Sequence, residues 1–149
     1  MEDRKMEWKA AYSVGLREID DQHKELLSLF CRVTDILDES KSWTDIHYRI
    51  VELRTFAAYH FEFEEALMRM FGYTEHDRHA DSHKQFFIQL AEFEKHSILG
   101  DVKQEMLQFL FDWLFSHIMK SDKAYAQYIL AGASVVRSAE AESGLLATA

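Results

Sequence analysis

Apolar residues recur at steps of three and four positions along four long segments of the chain. In the first segment Leu26, Leu27, Phe30 and Val33 follow this step, which is the period of an amphipathic α-helix. Polar stretches or glycines separate the segments. The pattern therefore predicts four helices, at 19–37, 43–71, 75–99 and 102–130.

The predicted connections between these helices are short, which favours antiparallel neighbours. The sequence thus predicts an all-α protein, an up-down-up-down antiparallel four-helix bundle with an extended N-terminal arm. The arm is expected to pack Trp8, Tyr12, Val14 and Leu16 on the bundle. Gly132 is expected to lie past the end of the fourth helix. Residues 1–132 would then form the bundle with its arm, and 133–149 a C-terminal tail, frayed or as a short extra helix.

Composition narrows the class of protein. A chain of 149 residues with no proline and five glycines fits one helical domain better than a β-sandwich or barrel. The net charge of −9 argues against binding to nucleic acid or to an anionic membrane. Cys31 is the sole cysteine, which excludes an intramolecular disulfide. We see no secretory signal and no apolar run of about 18 residues, so we expect a cytoplasmic protein without membrane insertion.

Two pairs of metal-ligating residue types lie one helical turn apart. His60 and Glu64 are four residues apart in the second predicted helix, and His79 and His83 repeat this spacing in the third. Side chains at this spacing leave one face of a helix together. Each pair therefore presents two ligands in one direction.

The first and fourth helices supply further candidates, His23 and His117, each among apolar neighbours. Asp122 follows His117 by five residues, which an ideal α-helix places about 140° apart. If both serve one site, Asp122 must reach in from the flank, or the helix must loosen locally, as at a π-bulge.

A metal-free bundle with buried, hydrogen-bonded histidines is the plain alternative. Burying so many polar groups is costly unless they are satisfied, so five imidazoles and two carboxylates on four helices favour a metal site. The set is too large for one tetrahedral zinc, and calcium and magnesium prefer oxygen ligands. The residues therefore predict two metal ions, with iron, manganese, copper and zinc all open, bridged by the two carboxylates.

Six motifs in order carry a family resemblance. They are a tryptophan at position 8, Tyr-Ser-Val-Gly at 12–15, Ile-Asp-x-Gln-His at 19–23, His-Phe-x-x-Glu-Glu-x-Leu-Met at 60–68, His-x-x-x-His with a later phenylalanine at 79–86, and Trp-Leu-x-x-His-Ile-x-x-x-Asp-Lys at 113–123. In these motifs the chain resembles the bacterial hemerythrins, over about residues 8 to 128.

The resemblance implies a non-haem site of two iron ions, joined by an oxo or hydroxo bridge, that binds O2 reversibly. It also implies a role for each matching residue. One iron would be ligated by His79, His83 and His117, the other by His23 and His60, and the bridging carboxylates would be Glu64 and Asp122.

The iron with two histidines would keep an open position for O2. An apolar pocket at this position would keep out the water and anions that displace reduced dioxygen. We expect Leu114, one turn before His117, to guard this pocket, together with Leu27, Phe56 and Ile118.

The remaining polar residues near the motifs are expected to lie outside the site. Three histidines have no partner at ligand spacing, and three acidic residues lie next to ligand positions but should face solvent. They are His47, His76 and His96, and Glu62, Glu65 and Asp77.

The leading functional hypothesis is an O2-binding protein for carriage, storage or delivery, and not an enzyme. It would act as a monomer or weak homo-oligomer. One alternative is an oxygen or redox sensor that acts through a partner protein. Another is a di-iron enzyme that handles peroxide or nitric oxide. Slow autoxidation favours the carrier, oxygen-dependent partner binding the sensor, and rapid turnover the enzyme.

Overall fold

The computed structural model describes residues 7–39, 42–97 and 103–147. Within these ranges every element is helical. A short 3-10 turn, Ala10–Tyr12, precedes the bundle, and a π-helical segment interrupts its fourth helix. The α-helices are α1 Arg17–Glu39, α2 Trp43–Met70, α3 His76–Ser97, α4 Lys103–Ser116 and α5 Lys123–Ala147, with the π segment His117–Asp122 between α4 and α5.

The helices pack in chain order, and α4 also packs on α1, so the bundle closes. The predicted fold class is therefore confirmed. The turn after α2 shows how local chemistry ends a helix. Gly72 has a φ of +65°, and Tyr73 donates its backbone N–H to the Met68 carbonyl over 2.9 Å. This is a Schellman cap, in which glycine takes the left-handed conformation at no steric cost.

The predicted course of the fourth helix is wrong at its end. We expected the helix to stop at about residue 130, with Gly132 beyond it, but α5 continues through Gly132 to Ala147. Glycine lowers helix stability by only about 1 kcal/mol relative to alanine, so one glycine without a following proline does not terminate a helix. The helix loosens instead at the π segment.

The N-terminal arm is fixed to the start of α1. Asp20 accepts a hydrogen bond from the Val14 backbone N–H over 2.8 Å and another from the Ser13 hydroxyl over 2.5 Å. Gly15, with a φ of +87°, lets the chain turn there. Val14 is buried, and Trp8 and Leu16 pack on the core. The arm is thus folded onto the bundle, and part of it is a 3-10 turn.

Two hydrophobic clusters make up the core, and the polar candidates lie between them along the helices. On α1, His23 separates Ile19 of the smaller cluster from Leu26 of the larger one. In the fourth helix, Asp122 separates Ile118 from Tyr125 in the same way. Within the described ranges, no helix combines the length and apolarity needed to cross a bilayer.

Candidate metal centre

All seven residues that the sequence singled out as ligands meet inside the bundle. None of their side chains lies at the surface, and the most exposed of them, His79, is 6% accessible. Every helix of the bundle contributes. The contributors are His23 from α1, His60 and Glu64 from α2, His79 and His83 from α3, and His117 and Asp122 from the π segment.

The seven residues form two overlapping groups of possible ligands. Within each group the candidate atoms all lie within 4.8 Å of one another, and Glu64 belongs to both groups. The first group, which we call the three-histidine group, holds Glu64, His79, His83 and His117; the second, the two-histidine group, holds His23, His60, Glu64 and Asp122.

The two carboxylates link the groups. One oxygen of Glu64 lies 2.8 Å from His60 Nε2, and its other oxygen lies 3.2 Å from His83 Nε2. Asp122 divides its oxygens in the same way, with Oδ2 at 3.0 Å from His23 Nε2 and Oδ1 at 2.9 Å from His117 Nε2. Each carboxylate thus faces both groups, as a bridging ligand must.

The π segment solves the spacing problem between His117 and Asp122. Hydrogen bonds from residue i to residue i+5 widen the helix, so residues five apart come to lie on one face. The segment begins at His117 and ends at Asp122. Both side chains consequently point into the bundle, and the local loosening considered from the sequence is what the structure has.

The outer ring nitrogens of three histidines each meet an oxygen. His60 Nδ1 lies 2.7 Å from the amide oxygen of Gln22, and His83 Nδ1 lies 3.2 Å from a carboxylate oxygen of Glu65. A carboxylate and an amide oxygen accept hydrogen bonds only, so each Nδ1 carries the hydrogen. When these rings are neutral, as a metal ligand must be, the inner Nε2 of each offers a lone pair to the site.

The third such pair involves Ser82. Its hydroxyl donates to the His79 carbonyl over 2.6 Å. The serine oxygen is therefore left to accept from His117 Nδ1, at 3.4 Å. His117 thus also presents its Nε2 lone pair inwards, which is the tautomer of a histidine that binds a metal through Nε2.

Neutral rings with these tautomers would leave the site short of positive charge. The Nε2 atoms of His83 and His117 lie 3.0 Å apart, so two lone pairs face each other unless a cation lies near both. In addition, His23 Nε2 and both carboxylate oxygens of Asp122 are buried without a well-formed hydrogen bond. Buried polar atoms rarely stay unsatisfied. Imidazole nitrogens and carboxylate oxygens together fit first-row transition metals.

The pKa shifts indicate the same need for cations. Burial alone would lower the pKa of His23 and of His79, but the neighbouring carboxylates of Asp122 and Glu64 raise both values to about 9. Burial would raise the pKa of Glu64 and of Asp122. Without a metal, a protonated His60 holds the pKa of Glu64 well below the usual range, and a protonated His117 lowers that of Asp122. Two ionised, buried carboxylates therefore draw positive charge into the site, as protons or as metal ions.

A small cavity of about 10 Å³ adjoins the two-histidine group at His23. Its other lining residues come from the arm, α1 and the fourth helix, and three of them, Leu27, Leu114 and Ile118, were expected from the sequence. The others are Trp8, Tyr12, Phe115 and Met119. Phe56 is not among them, and it packs instead near Tyr59, with ring centroids 6.0 Å apart.

A wider groove of about 250 Å³, lined by both charged and apolar side chains, lies on the other side of the bundle, between α2 and α3. His83 lines it, together with the charged side chains of Glu62, Glu65, Arg69 and Lys84. Glu65 was expected to face solvent, but its side chain is only 24% exposed and bonds to His83. The sequence shows an acidic residue next to the candidate ligand Glu64. That this residue, Glu65, contacts His83 follows only from the packing of α2 on α3.

Two further features were not foreseen. Tyr125, fully buried, donates its hydroxyl to Glu64 over 3.0 Å, and it follows Asp122 by one α-helical turn. Aromatic rings also stack on the imidazoles of His83 and His117, with Phe61 at 3.8 Å and Trp113 at 4.3 Å between ring centroids.

The remaining histidines lie outside both groups. His47 pairs with Glu94, His76 with Asp77, and His96 with the carbonyl of Glu92.

Comparison with known proteins gives consistent matches. The family model described as "Hemerythrin HHE cation binding domain" matches residues 14–129. A bacteriohemerythrin of Pseudomonas aeruginosa is 30% identical over 140 residues, covering 93% of this chain and 91% of that protein. A bacteriohemerythrin of Clostridium acetobutylicum is 29% identical over 125 residues, covering 79% and 96% respectively. A crystal structure of wild-type hemerythrin is similar in fold, with a TM-score of 0.75 and 28% identity, over 83% of this chain and 97% of that chain.

Proposed function

The chain belongs to the hemerythrin family, and from this premise we propose that it binds O2 reversibly at a non-haem di-iron centre. The role would be oxygen carriage, storage or delivery. The observation that carries the proposal is the joint presence of two ligand groups that share Glu64 and of an apolar cavity beside the two-histidine group.

We assign one iron to each group. The three imidazoles of the three-histidine group would complete the shell of one iron, and the two-histidine group would leave a position of the other iron open. The bridging roles fall to Glu64 and Asp122, because the oxygens of each face both groups. Bound iron supplies the electrons that hold O2 and takes them back when O2 leaves.

The protein side chains would control what reaches the open position. The cavity volume of about 10 Å³ is close to the lower limit of about 10–15 Å³ that one water molecule needs. Leu114 and Ile118 are almost completely buried and offer water no hydrogen-bond partner. An apolar diatomic molecule gives up no hydrogen bonds when it enters such a space, whereas water or an anion gives up its hydrogen bonds to solvent.

The same features favour binding over catalysis. The cavity is small and most of its lining is hydrocarbon or aromatic, so it has little room for a substrate larger than a diatomic molecule. We therefore propose a binding protein and not an enzyme. The cytoplasmic location and the monomeric or weakly oligomeric state stay predictions from the sequence.

Metal content and the visible spectrum test the function together. The full chain would be loaded with ferrous iron without oxygen, its iron per chain measured, and its spectrum recorded through cycles of air and vacuum. We expect two irons per chain, a colourless reduced form, and a charge-transfer band that appears with O2 and disappears under vacuum. Two irons that oxidise without a reversible band would overturn O2 carriage in favour of a sensor or enzyme. Absence of iron binding would overturn the ligand assignment.

A further inference from the structure

The histidines of the centre differ in the acceptors behind them. His60, in the two-histidine group, donates to the neutral amide oxygen of Gln22. His83, in the three-histidine group, donates to the carboxylate of Glu65. The two ligand groups are thus supported by outer acceptors of unequal charge.

We propose that Glu65 is a positioning residue that fixes the imidazole of His83 and, through its negative charge, lowers the reduction potential of the three-histidine iron relative to its two-histidine neighbour. The inference rests on the proposed function for its redox part. Its positioning part concerns the chain alone and does not depend on O2 binding.

The geometry restrains the His83 ring in two ways. Phe61 lies on its face, with the planes 5° from parallel and the centroids 3.8 Å apart, so the ring cannot tilt. Rotation of the ring by 180° about the Cβ–Cγ bond would keep it in that slot but exchange Nδ1 with Cδ2 and Nε2 with Cε1. The hydrogen bond from Nδ1 to Glu65, at 3.2 Å, opposes that rotation and keeps Nε2 towards Glu64.

The charge of Glu65 acts through the imidazole. A carboxylate that accepts from the outer N–H of a ligand histidine makes the inner nitrogen a stronger electron donor. A more electron-rich ligand stabilises ferric over ferrous iron, so the iron gains an electron less readily. An amide acceptor such as that of Gln22 has this effect only weakly, because it carries no net charge.

The surroundings of Glu65 leave this charge effective. Its side chain is 24% exposed, which is enough burial to reduce screening by solvent. Arg69 and Lys84 line the same groove, as does a second acidic residue, Glu62. Glu65 differs from these residues in that its carboxylate accepts a hydrogen bond from His83.

The test uses two reciprocal substitutions and one matched control. Glu65→Gln keeps an oxygen acceptor and removes the charge behind His83, whereas Gln22→Glu adds a charge behind His60. Glu62→Gln removes the same charge from the exposed side of α2. For each chain, the tautomer of His83 would be read from nitrogen chemical shifts without metal. The affinity for cobalt(II) and the midpoint potentials of the iron-loaded chain would also be measured.

We expect Glu65→Gln to raise the lower midpoint potential and to weaken cobalt binding about 10- to 100-fold, with partial loss of the Nδ1–H tautomer of His83. Gln22→Glu should lower the other potential, and Glu62→Gln should match the unmodified chain. Unchanged tautomer, affinity and potential in Glu65→Gln would overturn the proposal. If the iron-loaded chain fails to bind O2 but these shifts occur, the proposed function is overturned and the role of Glu65 stands.

Discussion

The two sides of the candidate metal centre differ in the size of the space beside them and in the charge of its lining. Between α1 and the fourth helix, the two-histidine group borders a cavity of about 10 Å³ whose walls are mostly apolar. Between α2 and α3, the three-histidine group borders a groove of about 250 Å³ with four charged side chains. The first side offers water little room and few polar partners, and the second offers more of both.

Under the proposed function, the two sides of the centre would serve different purposes. A dry side suits a neutral diatomic ligand, because nothing there stabilises the ions and water that would replace it. A wet, charged side suits control of the electronic properties of the iron, since carboxylates behind a ligand adjust its donor strength. The shared carboxylates, Glu64 and Asp122, join the two sides and should be the residues that neither side can lose.

The largest expected effect follows from a substitution at one of the shared carboxylates, which form the junction between the two sides. Glu64→Gln keeps the shape of the side chain but removes the charge that both groups share. We expect loss of iron from both sides, because one of the two bridging oxygens becomes an amide nitrogen that does not bind metal, and the buried histidines lose their ionised partner. Metal analysis after loading measures this. Glu62→Gln, on the exposed side of the same helix, is the control and should retain its iron; retention of two irons by Glu64→Gln would contradict the bridging role.

That the candidate side chains meet inside the bundle could be predicted from the sequence. Helical period and four-residue spacing place His60 with Glu64 and His79 with His83, because a helix converts spacing directly into direction. Helix ends were less predictable. Gly72 ended α2 because the chain turns there with a positive φ, whereas Gly132, with an ordinary conformation, lies within α5.

Features that depend on packing between distant segments could not be predicted from the sequence. The hydrogen bond from His83 to Glu65 depends on how α2 packs on α3. The positions of Trp8 and Tyr12 in the cavity wall depend on the path of the N-terminal arm. The π segment was considered because two residues of one site were five apart. Periodicity alone could not distinguish it from a flanking approach by Asp122.

The exclusion of water from the apolar side can be tested by enlarging its cavity. Leu114 is 2% exposed and lines the cavity, so Leu114→Ala should lower the free energy of unfolding by about 2–5 kcal/mol and admit water. Autoxidation in air should then accelerate. Leu110→Ala is the control: Leu110 is buried one turn earlier on α4 and does not line the cavity. Its stability loss should be similar and its autoxidation rate unchanged, and equal autoxidation rates in the two variants would contradict the guarding role.

The junction can also be weakened without removing a ligand. Tyr125→Phe deletes the hydroxyl that donates to Glu64 over 3.0 Å. A hydrogen bond to a charged group contributes about 1.5–3 kcal/mol, so the free energy of unfolding of the metal-free chain should fall by about that amount. Urea unfolding measures it. Tyr128→Phe, at a more exposed hydroxyl that donates to the Gly72 carbonyl, should cost less, and the reverse order would contradict a special role for Tyr125.

The smallest expected effect sharpens the comparison within the polar side. Ser82 accepts from His117 at 3.4 Å, a longer contact than the one between Glu65 and His83, and its hydroxyl carries no charge. Ser82→Ala should therefore lower the free energy of unfolding by about 0.5–1.5 kcal/mol and weaken cobalt binding less than Glu65→Gln does. Trp113 stays stacked on the His117 ring and preserves its plane. If Ser82→Ala instead equalled or exceeded Glu65→Gln in its effect on metal affinity, ring orientation rather than charge would govern the three-histidine side.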